Sequence, residues 1–383
     1  MKYHVTVLTP TLVGDGNRLS SIDYMVWRDQ VNVLNQPRIF KLLSKGPRLE
    51  GYLSQLQKAT KLDFASWGGF AQNFADRRIP FEDAACTTYF NSAPVESLSI
   101  PTFAASGTGP FIPGTAVKGA LRTAFVFSKL KPTAVRDLAA RLAGERLPRR
   151  PAEDLERQTA GLGGSDRMRA VAISDSVGHS RETFKVYLLR VSTLIARAGT
   201  DQYSLGWKQS GRGSVDGSRP QDATPTFAEM ASPGTEFSGE WRENEFLNRE
   251  EVRQMLRWSH PVTHQTLFEA ANHYAAKQLE LHAIYAQRTG IEALSASVAD
   301  LQQSLEAARN AGRCLLAIGW GTGFLSKSSA IGADDADHRK LLGLSPHYDR
   351  AIQSGLPFPK TRRVVFLKNK PAALAGWVEL RVE

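Results

Sequence analysis

Cysteine is nearly absent from this chain: Cys86 and Cys314 are the two among 383 residues, and they lie far apart. That count argues against a disulfide framework or a cysteine zinc cluster and makes a reducing cytoplasm the expected compartment. Long apolar runs are missing as well. No stretch approaches the ~20 residues that span a bilayer, so no membrane partner is expected. Met1-Lys-Tyr-His-Val-Thr-Val-Leu8 begins directly as an alternating strand, without the apolar core of a signal peptide. Negative charge is the third shortage. Thirty-eight acidic side chains against 48 basic ones leave a formal net charge of +10. This balance suits a polyanionic partner, nucleic acid ahead of membrane, with a soluble protein that is merely basic as an equal alternative.

The usual catalytic signatures are also missing. Gly109-x4-Gly114 has the spacing of a phosphate loop, but Thr115 stands where the lysine belongs, which argues against nucleotide hydrolysis. Gly319-Trp-Gly-Thr-Gly323 starts like a dinucleotide fingerprint, yet Phe324 occupies the third glycine position. His260 and His264 have a helix-compatible spacing, but Pro261 separates them and no HExxH pattern exists. His264, His273 and His282 fall nine apart, on opposite helix faces. No Gly-x-Ser-x-Gly elbow occurs. Asp15, Asp23 and Asp175 read as turn or capping residues. No metal and no cofactor are expected.

Hydrophobic residues make up 42% of the chain, and strand and helix patterns are interspersed without regular βαβ alternation. This predicts an α+β fold, an antiparallel ferredoxin-like core with large insertions. Residues 2–8 form a strand, Tyr24–Trp27 and Val31–Leu34 a hairpin, and Pro37 opens a helix running from Arg38 to Leu56. Two strands are expected at Arg169–Ser176 and Thr183–Val191, with another at Gly234–Trp241. Residues 206–225 read as an exposed loop or mobile finger. Residues 250–312 read as a helical hairpin broken at Gly290. Strands follow at Cys314–Gly319, Thr361–Leu367 and Trp377–Val382. The expected division is a core of 1–245, a helical insertion of 246–312, and 313–383 completing the core.

Three segments carry candidate anion contacts. Gly109-Pro-Phe-Ile-Pro-Gly-Thr-Ala-Val-Lys-Gly-Ala-Leu-Arg-Thr-Ala-Phe125 is a Gly/Pro turn entering a helix. Thr115 is the expected N-cap. Thr115, Lys118 and Arg122 share one stripe at i, i+3 and i+7. A helix N-terminus with cations on that stripe suits a phosphate, and Gly119 lets a backbone approach. Gly319, Gly321, Thr322 and Gly323, with Lys327, can cradle a phosphate backbone in a nest of N–H groups. Phe358-Pro-Lys-Thr-Arg-Arg-Val-Val365 places Lys360 and Arg362 on one strand face, for contact or as a charged edge. The basic run Lys129–Arg150 reads as a solvated helical face, with an RNA-contacting face as the alternative.

Ile112-Pro-Gly-Thr-Ala-Val-Lys-Gly-Ala-Leu-Arg122 resembles the central motif of the RAMP superfamily of CRISPR-associated RNA-binding proteins. Leu8–Gly16, Ser21–Tyr24, Ile173–Ser176, Gly319–Lys327 and Phe358–Arg363, in that order, resemble the fifth-subunit family of the type III-A (Csm) effector complex. The likeness runs from about residue 2 to 365. It implies an RRM/ferredoxin-like (Cas7-like RAMP) core in a ribonucleoprotein. It further implies a non-catalytic subunit that binds crRNA and caps the backbone filament near the crRNA 3′ end, beside the repeated backbone subunits. Target RNA and host maturation nucleases are further expected partners. The matched RNA-binding positions are Gly114, Thr115, Lys118, Gly119, Arg122, Gly319, Gly321, Thr322, Gly323 and Lys327, followed by Lys360 and Arg362. Residues 206–225 are the candidate thumb. Two alternatives stay open: a metal-independent endoribonuclease using His4 or His179, and a protein scaffold recruiting nucleases through 250–312.

Overall fold

Lys2–Val7 is the middle strand of an antiparallel five-stranded sheet in the computed structural model, which describes residues 1–58, 73–131, 133–144, 149–196, 203–210, 215–332 and 335–383. Tyr3, Val5 and Val7 point into the core while His4 and Thr6 alternate outward, the period-2 pattern of a half-buried strand. Across the sheet the order is Cys314–Ala317, Trp377–Val382, Lys2–Val7, Glu236–Glu243, Val171–Ile173. The helix Gly114–Lys129 follows the first strand of this set, and the helix His264–Thr289 follows Glu236–Glu243. This is the split βαβ order of a ferredoxin-like sheet with one change. Trp377–Val382 takes the fourth position beside Lys2–Val7, and Cys314–Ala317 is added outside it. The expected α+β class and ferredoxin-like core are the ones observed.

A second antiparallel sheet curls around Phe184–Ala196. This strand pairs with Thr226–Ala231 along its first half and with Tyr203–Trp207 along its second. Thr361–Leu367 lies on its other side, followed by Lys370–Leu374. The helix His264–Thr289 serves both sheets. Leu267, Phe268, Ala271 and Tyr274 belong to the core that contains Tyr3, Phe237 and Trp241. Further along, Ala275, Leu279, Tyr285 and Ala286 belong to the core that contains Leu188, Phe227 and Val364. Thr263 starts the helix with a capping box to Thr266, and Gly290 ends it at φ 67°. Glu292–Asn310 then folds back as the expected hairpin.

A smaller sheet of Tyr24–Val26, Gln30–Leu34 and Ala75–Pro80 contains the expected hairpin. It is tied to the second sheet where Arg77 meets the buried Glu229 carboxylate through two hydrogen bonds, 2.8 and 3.0 Å. The single helix expected from Arg38 to Leu56 is instead two, Gln36–Leu43 and Leu49–Gln57. Pro47 follows Gly46 and disfavours helical geometry there. The expected finger at 206–225 also begins too early. Gly206 and Trp207 complete a strand, Trp207 is fully buried, and its amide exchanges hydrogen bonds with Gly217. A Cβ at Gly206 would come 2.2 Å from the tip of the Ile195 side chain, which packs over it. Residues 211–214 of the finger lie outside the described residues.

Candidate nucleic-acid interface

Gly114–Lys129 abuts the segment 171–176 so closely that a Cβ on Gly114 would stand 2.3 Å from the Ile173 carbonyl oxygen. Gly114 is therefore needed for packing inside the protein. Its amide donates to Asp175 Oδ1 at 2.8 Å. A carboxylate of the chain itself thus sits at the positive end of this helix. Thr115, the expected N-cap, is exposed and lies inside the helix, whose flanking residue is Pro113. Asp175, from a distant segment, satisfies the first amide instead.

The cation stripe turns inward. Lys118 Nζ donates to the Val171 carbonyl at 2.8 Å, and burial pushes its pKa down while Asp166 pulls it partly back. Arg122 Nη1 reaches both Asp166 oxygens at 3.0 and 2.9 Å, and its Nη2 reaches Glu156 at 3.2 Å. Both cations, expected as phosphate contacts, meet acceptors of the protein here. Replacing Arg122 with alanine leaves two carboxylates unpaired. It should lower unfolding free energy by about 1–2 kcal/mol in a denaturant titration. The salt dependence of RNA binding should stay as in the parent.

The adjacent stripe of the same helix is open. Ala116, Gly119, Ala120 and Thr123 form one side of a groove of about 500 Å³, between the loop Leu12–Arg18 and the loop Ile318–Lys327. Small side chains make this floor, and nothing lies within 4 Å of a Cβ placed on Gly119. Gly319, at φ 82°, lets the second loop press on the first. Trp320 N–H donates to the Leu12 carbonyl at 2.7 Å, and a Cβ on Gly319 would stand 2.1 Å from that oxygen. Thr322 turns its hydroxyl back to the Gly319 carbonyl, and Ser326 bonds both Thr322 and the Gly323 carbonyl. Thr322 and Ser326 therefore hold the loop's shape. Arg18 and Lys327 are exposed on the two walls, and among the described residues neither forms an ion pair. Asp15 nearby accepts from the Asn17 backbone and side chain, and Asp23 accepts from Ser20. Both are turn residues, as expected.

Arg362, expected to share one strand face with Lys360, is buried. Arg362 donates to His282 Nδ1 at 3.0 Å and to the Pro359 and Thr361 carbonyls, with its guanidinium 4.5 Å from the Tyr285 ring centroid. Burial pulls its pKa down to about 10. The inner face of this strand meets polar partners, which is why a cation can occupy it. Lys360 is half-buried beside it. Arg363 alternates to the other side and stacks over Trp320, 4.1 Å from the ring centroid. Arg18, Trp320 and Arg363 line this groove and the recess beside it, although the motifs did not single them out as contacts. Trp320 stood in plain sight between two glycines.

The two histidines of the nuclease alternative are engaged separately. His4 Nε2 lies 3.5 Å from Glu383, and His179 Nδ1 lies 2.7 Å from the Ser180 carbonyl with its ring against Phe237. His264, from the histidine series, pairs with Glu243 at 2.8 Å. Among the described residues no group of histidine, cysteine and acidic side chains could hold a metal ion. No helix among them is long and apolar enough to cross a membrane.

Comparison with known proteins adds a family and a fold. The family model of the RAMP superfamily matches residues 4–326. A chain of a Csm–crRNA–target RNA ternary complex from a type III-A CRISPR-Cas system is 20% identical, with a TM-score of 0.66 and 100% of both chains covered. Csm5 of T. onnurineus is 18% identical, with a TM-score of 0.63, covering 98% of this chain and 99% of that one. No curated protein sequence matches.

Proposed function

Because the chain belongs to the RAMP superfamily, we propose that it is a non-catalytic, crRNA-binding subunit of a type III-A Csm complex. In this reading it caps the backbone filament at the crRNA 3′ end, beside the repeated backbone subunits, and supports crRNA maturation. The observation that carries the RNA-binding part is the groove. Its floor is bare of large side chains, and its opposite walls bring Arg18 and Lys327 without carboxylate partners among the described residues. An RNA backbone laid there meets cations on both sides and approaches the main chain at Gly119. Such contacts fix position and not base identity, so affinity should depend little on guide sequence. His4 and His179, held by separate partners, favour the non-catalytic reading.

The double variant Arg18→Ala with Lys327→Ala tests the groove. It should weaken crRNA binding and reduce the slope of log affinity against log salt by about 1.4, at ~0.7 per phosphate on a single strand. The melting temperature should not move. Binding with the parent's affinity and slope would show that RNA runs elsewhere.

A further inference from the structure

Beyond the groove, the far side of the glycine-rich loop opens a second recess of about 360 Å³, which shares Trp320, Thr322 and Lys327 with it. Its walls bring three cations together, Lys327, Arg362 and Arg363, and no aspartate or glutamate is among the lining residues. Among the described residues none of the three is ion-paired. Arg362 and Arg363 are largely desolvated, and burial lowers the pKa of each. His282 and two carbonyls satisfy Arg362 from within the protein, whereas Arg363 and Lys327 have no anionic partner among the described residues and are left to meet the negative charge of a ligand.

The same recess holds a planar platform. The Arg363 guanidinium lies 4.1 Å from the Trp320 ring centroid, and such a pair offers an aromatic ring and a flat cation to a stacking partner. Gly321 follows Trp320 at φ 92° and Gly323 comes two residues later at φ 80°, and nothing lies within 4 Å of a Cβ on Gly323. His282 and Arg362 are among the lining residues. Arg362 Nε–H donates to His282 Nδ1, so the neutral imidazole carries its proton on Nε2, and burial beside Arg362 holds it neutral. A volume at the low end of the ~300–1,000 Å³ range for ligand pockets suits one nucleotide.

We propose that this recess is a single-nucleotide slot, in which one nucleotide of the bound RNA stacks its base on the Trp320–Arg363 pair and sets its phosphate against Arg363 and Lys327. The slot rests on the RNA-binding reading above and adds to it a place where a base, and not only the backbone, is held. Stacking accepts any base, so the slot is tolerant of sequence.

The test is fluorescence anisotropy of the full chain with labelled single-stranded RNA and with the same RNA made abasic at one position at a time. Trp320→Ala should weaken binding about tenfold at an unchanged salt slope, since one base–aromatic stack is worth roughly 5- to 150-fold. Trp320→Phe should recover most of that loss, which guards against a folding defect. Arg363→Ala should lower the salt slope by about 0.7 as one phosphate contact goes. One abasic position should weaken the parent and leave Trp320→Ala unchanged. If Trp320→Ala binds like the parent, or suffers equally from every abasic substitution, the slot is wrong while the groove stands. If Arg18→Ala with Lys327→Ala also leaves affinity and slope unchanged, the RNA-binding reading falls with it.

Discussion

Gly319→Ala should lower the unfolding free energy by about 3 kcal/mol. An L-residue in left-handed geometry is penalised by ~1–2 kcal/mol, and φ at Gly319 is 82°. The added methyl would also stand 2.1 Å from the Leu12 carbonyl oxygen, a backbone atom that cannot swing aside like a side-chain tip. Separating the two loops breaks the 2.7 Å bond from Trp320 N–H to Leu12, worth ~1 kcal/mol or more once its partner is left buried. Gly323→Ala is the control. It has a comparable φ of 80° but open space around its Cβ, so it should show the conformational penalty alone. In denaturant unfolding the midpoint should fall for both, further for Gly319→Ala, with the slope unchanged. Equal midpoints would mean that the loops do not meet as described. Gly319→Ala should weaken RNA binding as well, because Lys327 is carried on the displaced loop.

Glu229→Ala should be the most damaging single change, at about 3–5 kcal/mol, the range for removing one partner of a buried ion pair. The Glu229 side chain is 1% exposed and bonds Arg77 through both oxygens, at 2.8 and 3.0 Å. Burial pushes its carboxyl pKa up, and Arg77 and Arg181 pull it back. Without it both guanidinium groups lose their compensation, and the Ala75–Pro80 strand loses its tie to Thr226–Ala231. Arg77→Ala alone strands the carboxylate, which can protonate, so its effect should be smaller. The double variant should be less unstable than the sum of the two, and the difference measures the coupling. Strict additivity in a thermal or chemical unfolding cycle would contradict the pairing.

Elements with one dominant local signal were legible in the sequence. Thr361–Leu367 and Trp377–Val382 are β-branched and aromatic runs, and they form strands over those bounds. Gly290 ends its helix in the left-handed conformation that its position suggested. Lys370–Leu374 was not legible: Lys-Pro-Ala-Ala-Leu has no β-branched residue, and its two-residue turn, Lys368 and Asn369 at φ 47° and 60°, lacks the usual glycine. At the candidate site the motifs mark segments that line the groove, but not which atoms face it. Helical spacing says which residues share a stripe and nothing about what that stripe meets. The partners of Arg122 and of the Gly114 amide lie 34 to 61 residues away, and no local rule anticipates them. Strand alternation separated Arg362 from Arg363 correctly. It could not show that the inner face would be lined by His282 and Tyr285.

The central place of Lys2–Val7 bears on how the protein is made. His4 pairs with Ser238 on one side and with Arg381 on the other, so this strand meets its second neighbour only after nearly the whole chain has been synthesised. At roughly 5–20 residues per second, that is a wait of about 20–75 s on the ribosome. Throughout it, one row of backbone donors and acceptors on an apolar strand has no native partner, which is the condition that invites strand exchange between nascent chains. The wait is a property of the topology and not of the side chains. Slowed translation or crowding of nascent chains should therefore reduce the soluble yield of this protein more than its equilibrium stability would suggest.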